Sequence, residues 1–304
     1  MKQVKFITGL MAFGVVSLFA GCGEKENEMT KVTLNEVAHS IFYAPQYVAL
    51  ENGYFTQEGL DLDLVTGYGA DKTMAAVISG EAQIGFMGAE ASVYAYLEGA
   101  NDPVINFAQG TQRAGNFLVA REEMADFQWS DLKGKEVLGG RKGGMPEMVF
   151  EYILKENGLD PAKDLSIDQS IDFGSTAAAF SGGKGEFTVE FEPAATTLEK
   201  NGDGFVIASL GVDSGYVPYT SYSAKTSYVE KHPEIIQAFT DGLQKGVDYV
   251  NSHTAEEIAK VIQPQFKEND PDTITRIVER YQSQDTWKEN LVFEKESFEL
   301  LQDI

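Results

Sequence analysis

Three glutamates and one histidine stand where this chain could do chemistry. Glu90, Glu190 and Glu192 each sit at the end of a short apolar run. A carboxylate held there, shielded from water, forms strong charge-assisted hydrogen bonds to an amine or an amidine-like nitrogen edge. The plainer alternative for each is a surface ion pair or the first turn of a helix. His39 carries the side chain most often used as a catalytic base. The only cysteine is Cys22, and the other histidines, His232 and His253, lie in the C-terminal stretch. A histidine lining a cleft or capping a helix therefore fits better than a catalytic one. A second chemistry is written at Arg141-Lys142-Gly143-Gly144-Met145-Pro146. Free N–H groups at a helix start, flanked by two cations, can cradle an anion, although an ordinary glycine turn would read the same. Gly174-Ser175-Thr176 offers another hydrogen-bonding loop, with simple helix capping as its alternative. Phe42, Tyr43, Tyr68, Phe173, Tyr216 and Tyr219 could stack a flat ring.

These residues need strands to hold them. Val32 to Val37 and Leu60 to Val65 alternate in the manner of half-buried strands. Between them Pro45 to Glu51 reads as a helix, opened by proline and closed at Asn52-Gly53. Strand, helix, strand is the unit of a parallel sheet. The rhythm repeats with a helix over 72–79, strands at 83–87, 104–109 and 117–120, and a second series from Val137. That series holds a helix from Met145 to Asn157 and strands at 165–168, 187–191 and 205–208. Ala75-Ala76-Val77-Ile78-Ser79-Gly80 before the strand ending at Met87 resembles Ala178-Ala179-Phe180-Ser181-Gly182-Gly183 before the strand ending at Phe191. The two would mark equivalent places in two similar lobes. From Ser227 onward the pattern is helical, with a core-facing stripe at Ile235, Ile236, Phe239, Leu243, Val247 and Val250.

In open parallel sheets, ligands bind beyond the C-terminal ends of the strands. That rule selects six loops: 39–43, 67–71 with Tyr68, Gly69 and Asp71, 88–90 with Gly88, 141–145, 172–176 and 190–193.

The bulk numbers set the frame. The chain has 304 residues, 43% of them hydrophobic, which excludes a disordered chain and favours two lobes over one core. A net charge of −23 argues against nucleic acid as a partner. Lys2 and Lys5 precede an apolar run from Phe6 to Ala20, shorter than the roughly 20 residues a spanning helix needs. The run ends in Leu18-Phe19-Ala20-Gly21-Cys22, which resembles a bacterial lipobox with Phe19 where Leu is commoner. Residues 1–21 are then expected to be a signal peptide, Cys22 the lipidated residue and 22–30 a tether. One cysteine builds no metal or redox pair, and no metal or cofactor is expected.

Tyr43-Ala44-Pro45-Gln46-Tyr47-Val48-Ala49-Leu50-Glu51-Asn52-Gly53-Tyr54-Phe55, followed by Glu58-Gly59-Leu60-Asp61, resembles a phrase of one family. It is that of the nitrate/sulfonate/taurine and thiamine-pyrimidine (NMT1/THI5-like) ABC-transporter solute-binding proteins. Ser79-Gly80-Glu81-Ala82-Gln83-Ile84-Gly85 resembles the family's next phrase, a turn that precedes a cleft loop. The resemblance implies an α/β, two-lobed type II periplasmic-binding fold, each lobe a mainly parallel sheet flanked by helices. Lobe one would comprise 31–116 plus 223–304 and lobe two 117–222. It also implies a small-molecule ligand in the interlobe cleft, lobe closure on binding, and ABC permease subunits as partners, with the ATPase engaged only indirectly. Aromatics with carboxylates favour a nitrogen heterocycle such as a pyrimidine or vitamin precursor. The glycine–arginine–lysine loop keeps a sulfonate, taurine or carboxylate anion open. An enzyme reading is weaker, because the synthases that resemble this fold carry a cysteine-rich motif absent here. A surface sensor using the same cleft is the third alternative.

Overall fold

A computed structural model describes residues 29–139, 142–171 and 173–304. In chain order the first lobe builds β1 (Thr30–Glu36), α1 (Ala44–Glu51), α2 (Tyr54–Gln57), β2 (Leu60–Thr66), α3 (Ala70–Ser79), β3 (Ile84–Met87), α4 (Glu90–Leu97) and β4 (Val104–Thr111). The second series follows: β5 (Asn116–Ala120), β6 (Glu136–Leu138), α5 (Met145–Glu156), β7 (Ser166–Asp168), α6 (Thr176–Ser181), β8 (Phe187–Phe191), α7 (Ala194–Asn201), β9 (Phe205–Ser209) and α8 (Leu210–Asp213). The chain then returns through β10 (Thr220–Lys225) and closes with α9 (Thr226–Lys231), α10 (Pro233–Ser252), α11 (Ala255–Ile262), α12 (Pro271–Ser283) and α13 (Lys295–Asp303).

Two five-stranded sheets result, ordered β2-β1-β3-β10-β4 and β7-β6-β8-β5-β9. Each is parallel at its core and carries one antiparallel strand in the fourth place, β10 in the first and β5 in the second. Those two are the strands that enter a sheet directly after the chain has left the other. The expected boundary at 222/223 falls inside β10, whose ladder with β4 begins at Thr220↔Thr111. Likewise the boundary at 116/117 falls inside β5, whose ladder begins at Asn116↔Phe191.

The two resembling phrases occupy matching positions. α3 ends in Ser79 with Gly80 at φ +85°, and α6 ends in Ser181 with Gly183 at φ +99°. Glycine accepts this left-handed conformation without a Cβ penalty. Each turn delivers the chain to the third strand of its sheet, β3 or β8. The core stripe of α10 is buried at Ile236, Phe239, Leu243, Val247 and Val250, while Ile235 is only partly covered. Gly246 and Gly242 let α10 approach α1 and α2: a Cβ at Gly246 would stand 2.2 Å from the Pro45 carbonyl oxygen.

β10 is a buried strand built largely of hydroxyl residues. Thr220 Oγ1 lies 2.7 Å from Thr111 Oγ1, and Ser221 and Ser223 both donate to Asn106 Oδ1, at 2.9 and 2.6 Å. Buried polar groups persist because each finds a partner.

Candidate functional site

The C-terminal ends of β1, β3 and β8 meet where the two lobes touch. Ser40 Oγ donates to the Glu192 carbonyl at 3.1 Å, and the Phe42 ring packs 5.9 Å from Phe191. Tyr94 of α4 places its hydroxyl 3.4 Å from Met148 Sδ of α5. Around Phe42 the rings of Tyr43 (5.2 Å), Tyr219 (5.7 Å) and Tyr281 (5.2 Å) complete an aromatic cluster. Phe42, Tyr43 and Tyr219 are thus brought together, all buried. Burial pushes the Tyr43 and Tyr219 hydroxyls well above the usual tyrosine value.

Glu90 faces this cluster from the first turn of α4. It is 5% exposed, and its Oε2 has no hydrogen-bond partner. Burial raises its carboxyl to about 7, while amides of its own residue, of Met145 at the start of α5, and of Ala91 oppose the rise. Gly88 makes room for it, because a Cβ there would lie 2.0 Å from Glu90 Oε2. Tyr219 Oη is likewise buried without a partner. So are both amide atoms of Asn116, a residue with no exposed surface. Asn116 is the register partner of Phe191 and shares its face of the sheet, and the Phe191 ring lies 5.9 Å from Phe42 and 6.2 Å from Tyr219. Tyr219 belongs to the ring cluster, Glu90 lies close enough to Tyr43 and Tyr219 for its charge to act on both, and the Asn116 amide is on the sheet face of Phe191. A few unsatisfied polar groups among aromatic walls are the usual composition of a small-molecule site.

The other expected residues go elsewhere. Glu190 accepts from Thr188 Oγ1 at 2.6 Å and Thr176 Oγ1 at 3.1 Å, and burial raises it to about 7. Glu192 accepts from Thr196 N and Oγ1, both at 2.9 Å, and forms an ion pair with Arg280 of α12. Their oxygens are committed to the protein, as the neighbouring threonines do for a strand-end carboxylate what a ligand would otherwise do. Tyr68 is 74% exposed at φ +55°, outside the cluster, next to Gly69 at φ +151° and the exposed Asp71. Gly143 donates its amide to Glu147 Oε2, which takes up part of the expected anion cradle, and Gly144 is the N-cap of α5. Gly174 and Ser175 lie exposed in a 3-10 turn with Phe173. Arg141 and Cys22 lie outside the described residues, as does the side chain of Phe173.

His39 turns away from the rings into a network that the sequence concealed. Its Nδ1 is 2.8 Å from Glu36 Oε1 and its Nε2 is 2.9 Å from the Gln265 carbonyl, with the Phe266 ring stacked at 4.8 Å. Two acceptors facing two ring nitrogens call for N–H on both, the imidazolium form. The Glu36 hydrogen bond is the main reason its pKa is raised. Glu36, fully buried, also accepts from Gln46 Nε2 and Tyr47 Oη at 2.8 Å and from Thr66 Oγ1 at 3.1 Å. Within β1 it read only as the polar half of an alternation. A glutamate enclosed by helix-borne Gln46 and Tyr47 becomes visible only once α1 packs on the sheet.

With this geometry in hand, the fold finds its counterparts. The alkanesulfonate-binding protein SsuA from Xanthomonas axonopodis pv. citri, bound to MOPS, superposes with a TM-score of 0.73 at 15% identity, covering 91% of each chain. The periplasmic aliphatic sulphonate-binding protein SsuA from Escherichia coli gives 0.71 at 16% identity, covering 90% of each. The architecture is that of the periplasmic binding proteins, an α/β fold of two sheets flanked by helices. The chain belongs to the NMT1/THI5-like family, whose model matches residues 41–257. It is also 47% identical over 285 residues to "Putative binding protein YtlA" of Bacillus subtilis (strain 168), covering 94% of this chain and 85% of that protein.

Proposed function

We propose that this protein is the extracytoplasmic substrate receptor of an ABC importer, and that it captures a nitrogen-bearing small molecule between its lobes. On this reading residues 1–21 are a signal peptide, Cys22 carries diacylglycerol and 22–30 form the tether. Lobe one is 30–115 plus 220–304 and lobe two 116–219, boundaries that leave β5 and β10 whole. The observation that carries the ligand reading is Glu90. A carboxylate buried against aromatic rings, with one oxygen lacking a partner, seeks an N–H donor. Among the described residues no cationic side chain hydrogen-bonds to Glu90, Asn116 or Tyr219, which favours a nitrogen heterocycle over a sulfonate or carboxylate. Closure of two lobes by rotation about the 112–115 and 214–219 connections would hand a closed form to the permease subunits. The same ring-lined cleft supports binding without turnover.

The anion reading keeps one observation in its favour: the Met145 amide at the start of α5 faces the site. A thermal-shift screen of heterocycles, sulfonates and amino acids separates the two. The receptor reading expects a nitrogen heterocycle to raise the unfolding temperature of wild type and not of Glu90→Gln. A sulfonate hit lost with Arg141→Ala would establish the anion instead. Metabolic labelling with palmitate checks the anchor: label should enter the wild type and be absent from Cys22→Ser.

A further inference from the structure

Asn116 is the most anomalous polar residue in the described structure. Its side chain has no exposed surface, yet neither Oδ1 nor Nδ2 has a partner. Asn106 and Asn35, by contrast, are used: Asn106 donates to Ser92 and accepts from Ser221 and Ser223, and Asn35 accepts from Thr73. The position of Asn116 is not loose. Its predecessor Gly115 accepts from Tyr281 Oη at 2.9 Å, the Ala114 carbonyl accepts from Gln284 Nε2 at 3.0 Å, and its own strand pairs on both sides. A buried amide with both groups idle is costly, and this one shares its sheet face with its register partner Phe191, whose ring lies 5.9 Å from Phe42 and 6.2 Å from Tyr219.

Resting on the receptor reading of the cleft, we infer that Asn116 is the specificity-determining residue, and that it selects solutes bearing an adjacent donor–acceptor edge. Such an edge is found in a carboxamide, a lactam or an amino-azine. An asparagine side chain presents N–H donors and a carbonyl acceptor side by side. Only a group with an acceptor next to a donor satisfies both at once. A carboxylate or sulfonate offers acceptors alone and would set an oxygen against Asn116 Oδ1 and against Glu90. Glu90 Oε2 then reads a further N–H, and Tyr219 Oη, free to donate or accept, completes the set. The placement also ties recognition to movement. Asn116 opens β5 just after the first crossing between the sheets, and Tyr219 precedes β10 at the second. A solute bridging them fixes both connections at once.

The experiment titrates the full-length protein with matched probes by calorimetry and thermal shift: nicotinamide against nicotinate, and cytosine and 2-aminopyrimidine against benzenesulfonate. At least one amide-edged probe should bind while its acidic counterpart does not. Asn116→Leu, which removes an unpaired buried amide, should fold at least as stably as wild type and weaken that probe tenfold or more. Asn116→Asp should weaken it similarly by losing the donor. Preferential binding of nicotinate or benzenesulfonate, or undiminished probe binding by Asn116→Leu, would overturn the inference. Small-angle X-ray scattering distinguishes the two levels of failure. Lobe closure by an anion sinks the edge selectivity and leaves the receptor reading standing. No closure by any probe or by amino acids and sulfonates sinks both.

Discussion

β3 and β8 occupy the same place in their sheets, and each releases the chain into a buried glutamate, yet the two glutamates live differently. Glu192, just past β8, is enclosed by Thr196 and Arg280. Glu90, three residues past β3, keeps an oxygen with no partner. Burial pushes both carboxyls up, and at Glu192 the Arg280 charge pulls against it. The difference teaches that depth alone does not mark a binding residue. On the function proposed above, what marks it is a hydrogen-bonding capacity the fold leaves unused beside the rings. One lobe uses its strand-end carboxylate to fasten the C-terminal helices, and the other holds its carboxylate open.

The largest expected effect breaks the satisfied member of the pair. Arg280→Met leaves Glu192 and Glu199 without their shared cation, and removing one partner of a buried pair costs about 3–5 kcal/mol. Thermal unfolding should fall by on the order of 10 °C. Glu90→Gln should do the reverse for stability and harm binding. At pH 7 its unfolding temperature should equal or exceed wild type, while ligand affinity falls by about tenfold to a hundredfold, the worth of a hydrogen bond to a charged group.

The pH dependence sharpens the contrast. Glu90 and Glu190 titrate from an ordinary value of 4.5 up to about 7 in the folded state. The native protein therefore binds protons more tightly than the unfolded chain, and stability should decline as pH rises from about 4.5 to about 7. Denaturant titrations across that range should show the decline, with Glu90→Gln and Glu190→Gln each removing its share.

Gly88→Ala is expected to be milder. Its Cβ would displace the Glu90 carboxylate, lowering affinity about tenfold and changing stability by about 1 kcal/mol or less. The smallest effect belongs to His39. Its raised pKa means its contribution is fully present below 6.5 and is lost as pH climbs through the folded value. A shallow loss of stability above pH 6.5, absent in His39→Gln, should appear in the same titrations.

Much of the architecture was legible because apolar alternation and glycine punctuation are local signals. β1, β2 and β3, the helix behind Pro45 and the α10 stripe all follow from them. β10 was not legible as a strand, since Thr-Ser-Tyr-Ser resembles a polar linker until Thr111 and Asn106 supply partners from a hundred residues away. The site was legible in part. Phe42, Tyr43, Gly88 and Glu90 come together from two of the loops the strand-end rule selects, and Tyr219, expected only as a ring that could stack, joins them from the residue before β10. Tyr68, Gly174 and Ser175 do not join them, because a loop at a strand end can lie open to solvent as readily as it folds inward. Asn116 left one trace: a polar residue opening the apolar run Phe117 to Ala120 at an expected lobe crossing. Glu36 left none, because its partners come from a helix and a neighbouring strand.

The most direct measurement is native mass spectrometry of the full-length protein as purified from cells, beside Glu90→Gln. A receptor with Glu90 at its centre should retain a small nitrogen-bearing solute, release it on denaturation with its mass unchanged, and lose it in Glu90→Gln. A solute held equally well by Glu90→Gln, or one converted to a product of different mass, would contradict the account.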